Sequence, residues 1–287
     1  MSYYVYAWVG AIASGLIVVT AKLTSKHSIS NPWLFNLLLV LVTLLFTIPP
    51  ALIYKAGMPN NWTPIILAAV FSTLFYISWI FSTYALDVST LTPLFNLRGI
   101  FAVFIGSMFL HESFSQSQLI YVAIIIIAGI FVSMDEKFKL RSFFNRSIGV
   151  AILCMLFLTI NNSFIKVSLA TNSLWTNNLW IAILNALFLI PTIPLFRKEL
   201  HKLNLSHIFP IGAMGIFATI TEFSSNVAYG VNVGITSLIM NTPISMILAF
   251  LLSIFAPKLL EKHSLKIYAI RFTSTAIMIY STMQLTR

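Results

Sequence analysis

Apolar residues fill this chain in ten long blocks separated by short polar breaks. The blocks cover roughly 4–24, 32–54, 63–85, 89–110, 117–134, 147–168, 174–196, 206–229, 233–255 and 265–284. Each holds about 18–24 residues, enough for a helix rising about 1.5 Å per residue to cross a hydrocarbon layer about 30 Å thick. The pattern predicts an all-α membrane protein with ten transmembrane helices.

The second five blocks retell the first five. A shift of about 144 residues sets Lys22 against Lys166, each near the end of its half's first helix, and Pro50 against Pro194 in the next. Ala85 meets Ala228 at nearly the same shift. After a longer ninth connector, Glu112-Ser113-Phe114-Ser115 faces Glu261-Lys262-His263-Ser264. Each match is weak alone, and their collinearity indicates a duplication. Five is an odd number, so a second copy enters the membrane from the opposite face. Two inverted five-helix repeats are therefore expected, the architecture of proteins that open alternately to either side. The first repeat is 1–135 and the second 147–287, joined by a polar connector at 136–146. The run Asp135–Arg141 is the most charged in the chain.

Composition narrows the function. Of the 287 residues 59% are hydrophobic and 8% charged, against about 25% charged in a soluble domain. No connector is long enough for an ATPase module, a phosphate-binding loop or a soluble catalytic domain. The chain is not expected to be an enzyme, and energy must come from an ion gradient or from the solute's own gradient. The net charge of +10 sits in short loops beside helix ends, where it suits anionic lipid head groups rather than nucleic acid. Lone Cys154 excludes an intrachain disulfide, and the five histidines are scattered. No cofactor or metal is expected.

The run Leu110-His111-Glu112-Ser113-Phe114-Ser115-Gln116-Ser117-Gln118-Leu119 opens the fifth block. Together with ten helices in two halves, it resembles the EamA-like transporters of the drug/metabolite transporter superfamily. Glu112 and Gln118 match the family's pattern there, while His111 stands where Gly is common. The counterpart Leu260-Glu261-Lys262-His263-Ser264 is degenerate. The resemblance implies transport of a small metabolite. It also implies a central cavity lined by the third, fourth, eighth and ninth helices.

Two ionisable residues fall well inside predicted helices, Arg98 in the fourth and Glu222 in the eighth. A charge at the bilayer centre costs about 2.5–3.5 kcal/mol on insertion scales, so each needs a partner or a watery cavity. The repeat sets Glu222 opposite Trp79 and Arg98 opposite Asn241. In one reading Arg98 clamps a carboxylate or phosphate, and Glu222 binds an amine or exchanges a coupling proton. In the other, an Arg98–Glu222 ion pair locks two helices and touches no solute. Tyr76 and Trp79, with Phe95 beside Arg98, supply aromatic surface for the expected solute. Asn241 joins the expected site as the counterpart of Arg98, whereas Asn185 is expected to be consumed by an interhelical hydrogen bond. Pro93 and Pro243, inside the fourth and ninth helices, are expected hinges. Ala7, Ala11 and Gly15 form a small-residue stripe for close packing of the first helix.

Basic residues crowd the odd-numbered connectors and their borders, among them Lys22, Lys26, Arg146, Arg197, Lys198 and Lys202. The other side, with the termini, carries Lys55, Lys166 and Arg287. The positive-inside rule then puts both termini outside the cell, while the resemblance implies termini inside. The sequence thus predicts an integral multi-pass protein of the cell membrane, plasma or bacterial inner. It would be a secondary active transporter of a small polar, charged or zwitterionic metabolite such as an amino acid. The alternative is a membrane receptor or lipid-handling protein without solute flux.

Overall fold

A computed structural model describes residues 2–86, 97–132, 146–242, 244–245, 247–248, 251 and 265–284. Phe95, Pro93 and Pro243, the charged run 135–141 and the Glu261 segment lie outside these described residues, as does most of the 136–146 connector.

Ten α-helices run through the described residues. They are α1 (Tyr3–His27), α2 (Pro32–Ile53), α3 (Trp62–Ala85), α4 (Leu97–Phe109), α5 (Gln116–Val132), α6 (Arg146–Leu169), α7 (Leu174–Leu189), α8 (Leu205–Tyr229), α9 (Val233–Met240) and α10 (Leu265–Gln284). Among the described residues, six helical segments are long and apolar enough to cross a membrane: Tyr3–His27, Pro32–Ile53, Trp62–Ala85, Arg146–Leu169, Leu174–Leu195 and His207–Tyr229. Their outward side chains are large and apolar, as at Leu45, Leu52 and Phe209, which suits contact with lipid.

Polar punctuation sets the helix starts. Asn31, Asn61, Ser173, Asn204 and Asn232 each stand just before a helix, and each side chain accepts from a backbone N–H of its first turn. Those first N–H groups have no partner within the helix, so a short oxygen-bearing side chain is the economical solution. Two blocks depart from their predicted course. The ninth, expected as one helix over 233–255, is α-helical over Val233–Met240 and then turns at Asn241 and Thr242. The seventh is α-helical only to Leu189, then tightens into a 3-10 segment over Ile190–Leu195. Pro191 and Pro194 cannot donate to the α ladder, which explains the change.

The packing partners form a regular set. α1 packs on α8, α2 on α7, α3 on α6, α4 on α9, and α5 on α10. Every one of these pairs joins the first half of the chain to the second. The small-residue stripe on α1 is buried at Ala7, Ala11 and Gly15. A Cβ at Gly15 would lie 2.9 Å from Ile244 Cγ2 and 3.1 Å from the backbone nitrogen of Ser245, so only glycine permits that approach.

Candidate functional site

A cavity lies between the helices, with about 180 Å³ of space that water centres can reach. That is room for a small organic solute rather than a single water. Its wall draws on α1, α2, α3, α4, α6, α7, α8 and the end of α9. Arg98, Glu222, Trp79, Tyr76 and Asn241, all singled out from the sequence, stand on that wall.

α8 supplies one continuous polar face, because Glu222, Ser225, Asn226 and Tyr229 recur at helical spacing and all line the cavity. Glu222 Oε1 accepts from the Tyr76 hydroxyl of α3 at 2.8 Å. Asn226 Nδ2 donates to Asn178 Oδ1 of α7 at 2.7 Å. From α4, buried Arg98 donates through Nη2 to the Tyr229 hydroxyl. The Arg98 Cζ also lies 5.7 Å from the centre of the Tyr229 ring, within cation–π range. No ion pair joins Arg98 to Glu222; among the described residues the ion pair is Lys166–Glu112. The helix-locking alternative therefore lacks its contact in this structure.

Several wall atoms are buried and have no hydrogen-bond partner among the described residues. They include Arg98 Nε, Asn161 Oδ1, Asn162 Nδ2, Thr221 Oγ1, Asn241 Nδ2 and Thr242 Oγ1. Leaving such a group unsatisfied costs about 1–3 kcal/mol. A solute bringing matching donors and acceptors gains by relieving several of them together. By contrast Asn185 is consumed, donating to Ser72 Oγ and accepting from Thr73 Oγ1, both at 2.9 Å.

Residues 1–134 match the EamA-like transporter family. That family belongs to the drug/metabolite transporter superfamily and is not an enzyme family. It carries membrane transport as its general activity, and with the apolar helices it makes this chain an integral multi-pass membrane protein. No curated protein matches the sequence. A solved crystal structure, described only as that of a protein, has a TM-score of 0.74 and 14% identity, covering 100% of this chain and 99% of the other. That likeness shows the fold. In the EamA-like half lies the Glu112 motif, and the structure gives its neighbourhood a shape.

His111 adopts φ 53°, the left-handed conformation that favours Gly at a helix end. The turn lets the Glu112 N–H reach the carbonyl of Gly106 at 2.9 Å and swings the Glu112 side chain inward. There Oε1 and Oε2 accept from the backbone of Val233 and Gly234, at 2.7 and 3.0 Å.

Two groups of residues escaped the sequence reading. Tyr229, the partner of Arg98, was legible as the last member of the face beginning at Glu222, seven positions earlier. The joining of Glu112 to Lys166, 54 positions apart, left no local signal.

Proposed function

We propose that this protein is a secondary active transporter moving a small polar, charged or zwitterionic organic metabolite, with amino acids the leading class, by alternating access through the central cavity. The observation that carries this reading is a cation and a carboxylate on one cavity wall, from α4 and α8, that are not paired with each other. Arg98 would receive the solute's carboxylate or phosphate, with Asn241 and Asn162 as further donors. Glu222, oriented by Tyr76, would take an amine or exchange the coupling proton. Trp79 and Tyr76 would cover the apolar part of the solute.

Alternating access by exchange of two repeats is served by halves that are structurally equivalent, and the packing pairs support that equivalence. Exchanging each helix of α1–α5 with the one five places later leaves the set unchanged. The pairs α2–α7, α4–α9 and α5–α10 map onto themselves, and α1–α8 maps onto α6–α3. Lys22 and Lys166 obey the same exchange. Lys22 donates to the carbonyls of Thr83 and Leu86 at the end of α3, and Lys166 to the carbonyl of Val231 just past α8. The family match also ends at residue 134, where the first repeat is expected to stop.

Tracer counterflow in proteoliposomes, run against a panel of metabolites beginning with amino acids, tests the proposal. Label should accumulate in vesicles preloaded with the unlabelled solute. Saturable binding without flux for every solute bound would overturn it in favour of a receptor.

A further inference from the structure

We propose that Glu112 and Lys166 form a gate that closes the cavity at the end where α9 begins, resting on the alternating-access reading above. Neither residue lines the cavity, so both act as positioning residues rather than solute ligands.

Three parts of the chain meet at this carboxylate. It comes from the connector between α4 and α5, in the first half. Lys166, near the end of α6, donates to Glu112 Oε1 at 2.7 Å. The same ammonium donates to the carbonyl of Val231, in the connector between α8 and α9, at 3.2 Å. The backbone N–H groups of Val233 and Gly234, at the start of α9, complete the shell. A carboxylate at a helix start answers both the free N–H groups and the positive end of the helix dipole.

The space is built for it. A Cβ on Gly106 would stand 2.6 Å from Glu112 Oε2, and one on Gly234 would stand 3.3 Å from it. Two glycines, one from each half, thus leave room for one buried side chain. The Glu112 side chain is only 3% exposed. Phe114 packs beside it against Gly234 and the cluster of Ala7, Ala228, Ile235 and Ile239.

The assembly adjoins the cavity wall through its neighbours in sequence. Ile165 and Tyr229 line the cavity, and in sequence they stand one and two positions before Lys166 and Val231. α9 starts in the grip of Glu112 and ends at Met240 on the cavity wall beside Asn241. Holding the start of α9 against α6 therefore keeps the first half's connector seated over the second half. For the cavity to open here, the carboxylate must leave Lys166 or α9. A charge pair joined to a helix start gives two discrete arrangements, closed and released, rather than a continuous range.

Face-specific labelling tests the gate without requiring flux. The reporter is Ser14→Cys on the cavity wall, in a Cys154→Ala background, modified by a membrane-impermeant thiol reagent. A Ser113→Cys control identifies the membrane face that carries the connector. Glu112→Gln should raise the reporter's labelling rate about tenfold from that face and lower it from the other, as a shifted two-state equilibrium requires. Lys166→Gln should do the same, and it supplies the test if Glu112→Gln does not assemble. Lys166→Arg, which keeps the charge, should leave the rates close to the parent's. Unchanged rates in both neutral variants, or a rise from both faces alike, would overturn the gate. A face-specific shift in a protein that carries no solute on the panel would keep the gate and sink the transport reading instead.

Discussion

Replacing Glu222 with Gln separates a solute-binding carboxylate from a structural one. The side chain keeps its length and an oxygen able to accept from Tyr76, now 2.8 Å away. A hydrogen bond to a charged group contributes about 1.5–3 kcal/mol and a neutral one about 0.5–1.5 kcal/mol, so the loss is about 1 kcal/mol. For a protein of this size that lowers the melting temperature by about 2–4 °C. Were Glu222 instead the partner of Arg98, the variant would orphan a buried guanidinium at a cost of about 3–5 kcal/mol, or about 6–20 °C. The absence of that ion pair selects the smaller figure. The assay is thermal unfolding of the purified protein in detergent, beside counterflow with the best solute on the panel. A small thermal shift with flux reduced at least about a hundredfold is expected, the counterpart of losing a buried charged contact of about 3 kcal/mol. Full flux, or a fall in melting temperature beyond about 6 °C, would refute the reasoning.

Two further outcomes follow from backbone geometry. At Gly99 on α4, an added Cβ would lie 2.8 Å from Leu238 Cδ2 and 3.2 Å from Asn241 Nδ2. Gly99→Ala should destabilise the α4–α9 contact by about 1–3 kcal/mol and raise the KM for transport by displacing Asn241. Thermal unfolding and concentration-dependent counterflow read the two effects, and an unchanged KM would count against Asn241 as a solute contact. His111→Gly should relieve the left-handed backbone at φ 53° and stabilise the protein by up to about 1 kcal/mol, readable as a rise in melting temperature. A fall would mean that the imidazole makes a contact worth more than the strain.

Hydropathy alone placed most of the helices. Wherever a block was bounded by Asn or Ser, its helix starts within two residues of the expected position, because capping chemistry is local. The seventh and ninth blocks misled: apolar character continued to residues 196 and 255, while Pro191 and Pro194 had already broken the one α ladder and the other helix ended at Met240. Arg98, Glu222, Tyr76, Trp79 and Asn241, which all line the cavity, stood out in the sequence because polar or aromatic groups are conspicuous in apolar helices. Whether the two charges meet was not legible, since a register fixes depth and face but not side-chain reach.

By itself, then, the sequence determined the membrane class, most of the helices and their order, and which polar groups had to find a cavity or a partner. These follow from lengths, periodicities and the cost of burying charge, all properties of single segments. Tertiary structure alone decided that Arg98 turns to Tyr229 rather than Glu222, and that Glu112 crosses from one half to grip Lys166 and the start of α9. Such choices depend on how separate helices pack, to within an ångström or two, and no single segment carries that information.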